Sequence, residues 1–385
     1  WRQQDEPDNA QALPGGGYGP PVLPSVIHDR YDDIVAQDPT RPVLLNFGQG
    51  VAWDEWVGRG TRTNHPEDYP EYIDGGTDIA SFDIYPGAST RSTYGEFWRV
   101  AWGVQRLVQW SDPDQPVWHF LESTDISNSG HQATPTQVRA EVWMGLIHGS
   151  KGLMYFVHEF DPFNADGLLD DPVMSAAVDA INQQVTDLAP VLHSPNVDGQ
   201  VVLADLVGQS PFNDAGIPVD RLGYMVKEHE GYLYLATVGM RDVVMDATFA
   251  VAGVPADAEA EVLGEDRTVT LSGNVLTDQF DGYEAHIYRI GLPTGPLLGD
   301  VDLNGVVDAA DIDEFVAALQ GTLSDPDALA AADCDTNAII DAADIDDFVA
   351  IIQTGRVTQI PEPTTVAVLG IGAMVLLRRR GMSGN

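Results

Sequence analysis

Short apolar runs alternate with longer amphipathic segments between about residue 24 and residue 190. The pattern predicts strands at 42–47, 78–84, 116–122 and 152–157, and helices at 25–37, 94–110, 134–148 and 171–188. Strand and helix in regular alternation predict a parallel sheet with right-handed crossovers. We therefore expect the first half of the chain to be α/β, either doubly wound or closed into a barrel.

After residue 193 the sequence pattern changes to short runs of β-forming residues, separated by Gly, Pro, Asn and Asp. Such spacing is typical of an antiparallel sandwich. The predicted strands are 201–206, 222–227, 232–238, 248–251, 260–263, 268–271 and 285–290. We expect an all-β sandwich over residues 196–291, followed by a Gly- and Pro-containing linker at 292–298.

A twelve-residue segment at 300–311 recurs at 333–344, displaced by 33 residues. Oxygen-bearing residues occupy loop positions 1, 3, 5, 9 and 12, and position 7 offers its carbonyl, which is the spacing by which such a loop wraps Ca²⁺. The predicted ligands are Asp300, Asp302, Asn304, Val306, Asp308 and Asp311 in the first loop, and Asp333, Asp335, Asn337, Ile339, Asp341 and Asp344 in the second. The alternative is an Asp-rich solvated linker, which has no reason to keep this register twice.

Each loop precedes one amphipathic helix, and the pair resembles the dockerin module over residues 299–355. The resemblance implies a small α-helical unit with two Ca²⁺ ions, and a cohesin-like protein as partner. Ala338 stands where the turn glycine of the second loop is expected. A left-handed alanine costs about 1 kcal/mol, so we expect the second site to be the weaker one.

The last segment, residues 356–385, combines Pro361-Glu362-Pro363 with twelve uncharged residues at 366–377 and three arginines. It resembles the PEP-CTERM sorting signal, which implies transient contact with the membrane and removal during export. Twelve helical residues span about 18 Å against about 30 Å of hydrocarbon, so a permanent anchor is disfavoured. The alternative is an ordinary short anchor.

The charge balance bears on partners and on the compartment. Asp and Glu number 59 against 19 Lys and Arg, and the net charge of −40 repels phosphate backbones, so we expect no nucleic acid partner.

A single cysteine, Cys334, excludes an intramolecular disulfide. The segment that starts at Trp1 has no basic stretch followed by an apolar one, so we expect an export signal upstream and a secreted or cell-envelope location in a bacterium.

Two glutamates follow predicted strands. Glu6 lies in Asp5-Glu6-Pro7, where a strand would break into a loop, and Glu122 ends the strand at 116–122. The carboxyl ends of parallel barrel strands are where active sites are built. Two carboxyls about 5–5.5 Å apart are what a retaining glycosidase needs, one to protonate the leaving oxygen and one to attack the anomeric carbon.

Counting back from 152–157 as an eighth strand, Glu122 ends the seventh and Glu6 the fourth. This placement resembles the large clan of retaining (β/α)₈ glycosidases, which implies that Glu6 is the acid/base residue and Glu122 the nucleophile. The resemblance covers residues 1–195 as strands four to eight of a partial TIM barrel. Asp5 stands where the clan usually has the asparagine that contacts the sugar 2-hydroxyl.

Four further residues at the expected rim are candidates for substrate binding. Tyr85 could hydrogen-bond the nucleophile or pack in a turn, and Trp53 could stack on a sugar ring. Asn46 and His158 also reach the rim, either as sugar contacts or as structural polar groups.

Together these features predict a secreted glycoside hydrolase that cleaves a polysaccharide with retention and needs no cofactor for catalysis. The alternative is a non-catalytic polysaccharide-binding or structural protein of the cell surface.

Overall fold

The computed structural model describes residues 1–56, 66–127, 129–208, 221–292, 295–304 and 306–354. Five parallel strands form the first sheet, and their order in the sheet is their order in the chain. They are β1 Arg2–Asp5, β2 Leu44–Phe47, β3 Ile79–Phe82, β4 Val117–Glu122 and β5 Gly152–Phe156. The predicted strands are all present, and the predicted parallel arrangement is confirmed. A short antiparallel hairpin, β6 Glu159–Phe160 and β7 Phe163–Asn164, follows β5.

Helices α1 to α4 connect consecutive strands of this sheet and α5 to α7 follow its last strand; several start at a proline in the first turn, where the missing N–H costs nothing. They are α1 Pro24–Gln37, α2 Tyr69–Ile73, α3 Trp98–Trp110, α4 Pro135–Ile147, α5 Gly167–Asp170, α6 Pro172–Asp187 and α7 Ala189–His193. Thr134 caps α4 as expected, because its hydroxyl accepts from the Gln137 N–H at 3.3 Å while the Gln137 side chain accepts from the Thr134 N–H at 2.8 Å.

The central strands of the sheet are buried on both faces, whereas its two edge strands are partly exposed. All four residues of β3 are buried, but every residue of β5 is only half-buried, and β1 is exposed at both ends. Phe82 packs directly on Gly103 of α3, where a side chain would collide with the ring. Such close packing on both faces is typical of a parallel sheet covered by helices.

Eight antiparallel strands in two sheets form the second region. They are β8 Val201–Val207, β9 Leu222–His229, β10 Tyr232–Gly239, β11 Met245–Val251, β12 Glu259–Val262, β13 Arg267–Thr270, β14 Val275–Phe280 and β15 Ala285–Gly291. One sheet has the order β13-β12-β15-β10-β9 and the other β14-β11-β8. Strand β14 was not predicted, because Thr277, Asp278 and Gln279 interrupt its apolar pattern, although Leu276 and Phe280 are fully buried.

Helix α4 joins the two regions. All of its residues except Thr136 are buried or half-buried, and its buried Val138, Val142 and Trp143 share one hydrophobic core with Tyr234 and Val238 of β10. A helix that is covered on nearly all sides has packing partners on nearly all sides. The parallel sheet and the sandwich therefore pack as neighbours through α4, and each stabilises the other.

The third region contains α8 Ile312–Leu319, α9 Pro326–Ala332 and α10 Asp344–Thr354. The rings of Phe315 and Phe348 stack at its centre, 4.0 Å apart and 7° from parallel. No helix within the described ranges is both long and apolar enough to cross a membrane. The predicted sorting tail at 356–385 lies outside the described residues.

Candidate functional site

Polar side chains meet where the first three parallel strands end. Asp5 pairs with Asn46 in the register of β1 and β2, and Asn46 pairs with Ser81 of β3. The Asn46 Nδ2 donates to Asp5 Oδ1 at 3.1 Å and to Asp83 Oδ1 at 3.3 Å, and its Oδ1 accepts from Ser81 Oγ at 3.0 Å. Asn46 is 3% exposed, so it is a buried bridge between the strand ends.

Glu6 follows β1 in a strained backbone conformation. Its φ is +43°, and its N–H donates to the Asn46 carbonyl at 2.8 Å. A left-handed non-glycine residue costs about 1–2 kcal/mol, and strain of this kind is concentrated at functional sites. The Glu6 carboxylate lies beside Gly48, where a Cβ would come within 3.1 Å of Oε1. Glycine at that position leaves room for the Glu6 side chain.

The residues after Glu6 anchor this loop. Asp8 accepts from the Gly48 N–H at 3.0 Å and from the Tyr69 hydroxyl at 2.9 Å, and Asn9 Oδ1 accepts from Trp56 Nε1 at 2.8 Å. Asp8 and Asn9 are both buried. Buried polar groups with satisfied hydrogen bonds rigidify their surroundings. The backbone at Glu6 is therefore fixed by its own bond to Asn46 and by the anchored Asp8 and Asn9 that follow it.

Asp83, which was not among the predicted site residues, lies one residue beyond β3. It is half-buried, and its N–H donates to the Phe47 carbonyl at 3.1 Å. Burial, followed by the negative charges of Glu6 and Asp5, raises the pKa of Asp83 well above its usual range, against a hydrogen bond with Tyr85 that lowers it. Asp83 is therefore a further carboxyl at this end of the sheet, linked to Asp5 through the Asn46 amide.

Tyr85 lies two residues after Asp83, beyond the end of β3. Burial, and then the charge of Asp83 and a hydrogen bond to it, raise the pKa of the Tyr85 hydroxyl, and the charges of Glu6 and Glu122 add to the effect. The sequence predicts either a hydrogen bond from Tyr85 to Glu122 or packing in a turn, whereas the carboxyl that Tyr85 bonds is Asp83.

Glu122 lies at the same end of the sheet, in a closed environment. It is completely buried, its Oε1 accepts from the Gly87 N–H and its Oε2 from the Ala88 N–H, each at 2.6 Å. The fully buried Glu141 of α4 lies against it, and burial raises the pKa of Glu122 to about 7. The backbone after β3 therefore holds both oxygens of Glu122 in place, and its role as nucleophile stays a prediction.

The two remaining residues predicted to bind substrate, Trp53 and His158, both pack against aromatic rings. The half-buried Trp53 packs at 5.2 Å from the Trp56 ring and does not stand free. His158 packs at 4.3 Å from Phe156 and 4.8 Å from Phe160, and the Tyr85 ring lies 5.2 Å from Phe156. His158 therefore belongs to an aromatic group at the end of β5.

The paired Asp loops form two compact carboxylate groups. Oxygens of Asp300, Asp302 and Asp311 lie within 4.8 Å of one another, and so do those of the equivalent Asp333, Asp335 and Asp344. Hard divalent cations such as Ca²⁺ prefer such an oxygen-only set. The donor sets of both loops therefore fit Ca²⁺.

The last aspartate of each loop accepts hydrogen bonds from backbone N–H groups of the same loop. Asp311 is completely buried and accepts from the Asp302 N–H at 3.1 Å and the Asp308 N–H at 2.8 Å. In the second loop Asp344 accepts from Asp335 at 3.1 Å and Asp341 at 2.9 Å. The two loops thus have the same internal hydrogen bonding.

The other predicted ligands form turns of the same loops. Asn304 Oδ1 accepts from the Val306 N–H at 2.8 Å, and Asn337 Oδ1 from the Ile339 N–H at 2.7 Å. Ala338 has a φ of +67°, so its predicted left-handed conformation is confirmed. The second loop therefore carries a strained residue.

Comparisons with known proteins identify one motif and several distant folds. Residues 359–380 match the PEP-CTERM protein-sorting motif, which indicates export to the cell surface or beyond in a bacterium. No curated protein sequence matches this chain significantly.

Among solved structures, an Anoxybacillus α-amylase is similar to 71% of the chain with 13% identity and a TM-score of 0.45. For an α-amylase from Geobacillus thermoleovorans the coverage is 71%, the identity 13% and the TM-score 0.42. For a GH30 endoxylanase from Clostridium papyrosolvens these values are 76%, 11% and 0.37. The chain spans 57%, 58% and 64% of the three structures' lengths.

Proposed function

We propose that this protein is a secreted glycoside hydrolase that cleaves a polysaccharide at the carboxyl ends of β1 to β4. The observation that carries the proposal is the strand-end group itself: Asn46 donates to both Asp5 and Asp83, and the N–H of Glu6 donates to the Asn46 carbonyl at the same end of the sheet. Carboxyl groups brought together at this end of parallel strands are the arrangement that glycoside hydrolysis requires.

The five parallel strands serve in this proposal as strands four to eight of a (β/α)₈ barrel. The support is their sequential order, their helical cover and the partial exposure of both edge strands. The sandwich packs behind α4, on the helical side of the sheet, and supports the barrel strands from there.

In a retaining mechanism Glu6 is the acid/base residue. Its carboxyl protonates the leaving oxygen, and after the first product leaves it takes a proton from water. The sequence assigns the attack on the anomeric carbon to Glu122. The aromatic rings at the end of β5 provide faces on which sugar rings could stack, because Phe160 and Phe163 are 56% and 71% exposed.

Hydrolysis is tested by incubating the full protein with a range of polysaccharides and aryl glycosides and measuring released reducing ends or phenolate. We expect turnover of at least one class. Binding to a polysaccharide without turnover of any substrate would instead favour the alternative of a non-catalytic polysaccharide-binding or structural surface protein.

For the third region the proposal is a dockerin-like module that binds two Ca²⁺ ions through its Asp loops. Its helices expose apolar side chains at equivalent positions of the two repeats, namely Ile312 with Ile345 and Val316 with Val349. Such a paired apolar surface suits a cohesin-like protein partner. Calorimetric titration of the full protein with Ca²⁺ should show two binding events.

The sorting motif completes the proposal. The tail contacts the membrane transiently and is removed during export, near Pro361-Glu362-Pro363. Mass spectrometry of the protein recovered from the surface of its host should find no peptide from residues 366–377. Mature protein that still ends in Asn385 would identify the tail as an ordinary anchor.

A further inference from the structure

We propose that the β6–β7 hairpin is a sugar-binding subsite that binds an uncharged polysaccharide chain next to the strand-end carboxyls. This inference rests on the proposed glycosidase function and names the charge class of its substrate. It follows from the arrangement of the aromatic rings after β5, from the way the hairpin is fixed, and from the charges that the hairpin carries.

The two phenylalanines of the hairpin point to one side of it. Phe160 and Phe163 are cross-strand partners in the antiparallel register, and such partners have their side chains on the same face. The centre of the His158 ring lies 4.8 Å from that of Phe160 and 5.9 Å from that of Phe163. Phe160 and Phe163 are both more than half exposed. The hairpin therefore presents three neighbouring rings, two of them largely open to solvent.

The other side of the hairpin is fixed to helix α5. Glu159 and Asn164 form the second cross-strand pair. The Asn164 amide donates to the Asp170 carboxylate of α5 at 3.0 Å. The Glu159 side chain lies against Gly167, where a Cβ would come within 3.2 Å of it. The polar side is thus held by α5, and the aromatic side is the exposed one.

The rings continue inwards to the strand-end carboxyls. The centre of the His158 ring lies 4.3 Å from that of Phe156, the last residue of β5, and Phe156 lies 5.2 Å from Tyr85. In the parallel register Phe156 is the direct partner of Glu122, the predicted nucleophile. A pyranose ring is similar in size to these aromatic rings, so successive rings can receive successive sugar units. The hairpin therefore extends the strand-end site outwards.

The charges of the hairpin disfavour an anionic chain. Glu159 and Asp161 lie on the hairpin, and neither Lys nor Arg occurs between Lys151 and Arg221. These carboxylates would repel a polysaccharide of uronic acids. The hydroxyl groups of an uncharged sugar can donate hydrogen bonds to carboxylate oxygens, while the C–H face of its ring packs on an aromatic ring. The occupant is therefore an uncharged polysaccharide.

Affinity electrophoresis tests binding without requiring turnover. The full protein is run in native gels that contain starch, arabinoxylan, galactomannan or mixed-linkage β-glucan, and then with the carboxymethylated derivative of the polymer that retards it most. We expect about tenfold weaker binding of the carboxymethylated polymer. The double variant Phe160→Ala/Phe163→Ala should bind the uncharged polymer about tenfold more weakly, because it loses two stacking rings. Tyr232→Ala removes an exposed ring of the sandwich and is the matched control, which should bind normally.

The binding results decide this inference separately from hydrolysis. If the double variant loses binding but no glycoside is hydrolysed, the proposed hydrolase is refuted while the hairpin remains a sugar-binding surface. Equal retardation of the double variant and the unmodified protein overturns the inference, and so does the absence of binding to any polymer. Tighter binding of chitosan or of the carboxymethylated polymer overturns the uncharged occupant. A change from dimer to monomer in the double variant, with retardation unchanged, would instead identify the rings as a contact between two copies.

Turnover gives the second readout. An aryl glycoside of one sugar unit occupies only the strand-end site, whereas a polysaccharide of the same sugar also reaches the hairpin. In Phe160→Ala/Phe163→Ala the loss in kcat/KM on the polysaccharide should exceed the loss on the aryl glycoside about tenfold, mainly through a higher KM. Tyr232→Ala should keep both values. Equal losses on the two substrates would show that the hairpin only supports the fold of the site, and would contradict the inference.

Discussion

The strand-end carboxyl group and the paired Asp loops are both built from acidic residues, but the chain assembles them in opposite ways. Each loop draws its carboxylates from twelve consecutive residues, and the two loops repeat one hydrogen-bonding scheme. The strand-end group draws on Glu6, Asp83 and Glu122, which belong to three different strands. Local spacing therefore defines the loops, whereas only the folded sheet defines the strand-end group.

The two groups also differ in what offsets their charge. In the strand-end group burial raises the pKa of Asp83 and of Glu122 and so reduces their charge. In the Asp loops only backbone and side-chain amides bind the carboxylate oxygens, and neither Lys nor Arg occurs between Arg289 and Arg356. A bound cation is the means by which the loops would be neutralised.

The largest difference is expected on removing Ca²⁺. With chelator, repulsion among the loop carboxylates should open the third region, so amide hydrogen exchange over residues 300–354 should rise to nearly unprotected rates. The parallel sheet and the sandwich, which share α4, should keep their protection in the same sample. Equal exchange of the third region with Ca²⁺ and with chelator would contradict the metal assignment.

The next largest expected effect is the pH dependence of stability that comes from the buried Glu122 and Glu141. Burial raises the pKa of Glu122 from 4.5 to about 7, so the folded protein holds protons that the unfolded chain releases at lower pH. The stability from this pair is fully present below about pH 4.5 and is lost as the pH rises towards 7. Burial and the charge of Glu122 also raise the pKa of Glu141 well above its usual range, so Glu141→Gln should relieve part of this loss, because glutamine has no proton that the unfolded chain would release.

Denaturant unfolding between pH 4.5 and 7.5 measures this effect. Relative to the unmodified protein, Glu141→Gln should gain on the order of 2–3 kcal/mol across that range. Asp114→Asn removes a carboxyl that is exposed and should leave the pH dependence unchanged. If the curves of Glu141→Gln and the unmodified protein run parallel, burial of Glu141 does not contribute to the pH dependence of stability.

The same contrast explains what sequence reasoning achieved. The strands at 42–47 and 116–122 were predictable because continuous apolar runs indicate buried parallel strands, and the Asp loops because their ligands keep a fixed spacing. Asp83 was missed because it lies inside an apolar run, where nothing local marks it as a partner of Asn46. Glu122 was placed correctly at a strand end, but the amides of Gly87 and Ala88 that enclose it come from another strand's loop.

The smallest effect compares the two loops with each other. Ala338 has a φ of +67°, so Ala338→Gly should remove about 1 kcal/mol of strain and tighten the weaker Ca²⁺ site about fivefold. Ala342→Gly is the matched control, because Ala342 is not in the left-handed region and glycine there offers no relief. Calorimetric titration of both variants with Ca²⁺ measures the difference; a weaker or unchanged second site in Ala338→Gly would show that its backbone strain does not limit binding.

The account depends most on Glu6 as the acid/base residue of a strand-end active site. Its most direct test is the turnover of the best glycoside or polysaccharide substrate by the full protein and by Glu6→Gln, with circular dichroism as a check on folding. General acid–base catalysis contributes about 10²–10⁴-fold, so we expect a loss of that size on a poor leaving group, and a much smaller loss on an activated aryl glycoside that needs no proton. Equal turnover by Glu6→Gln and the unmodified protein on the poor leaving group would contradict the account.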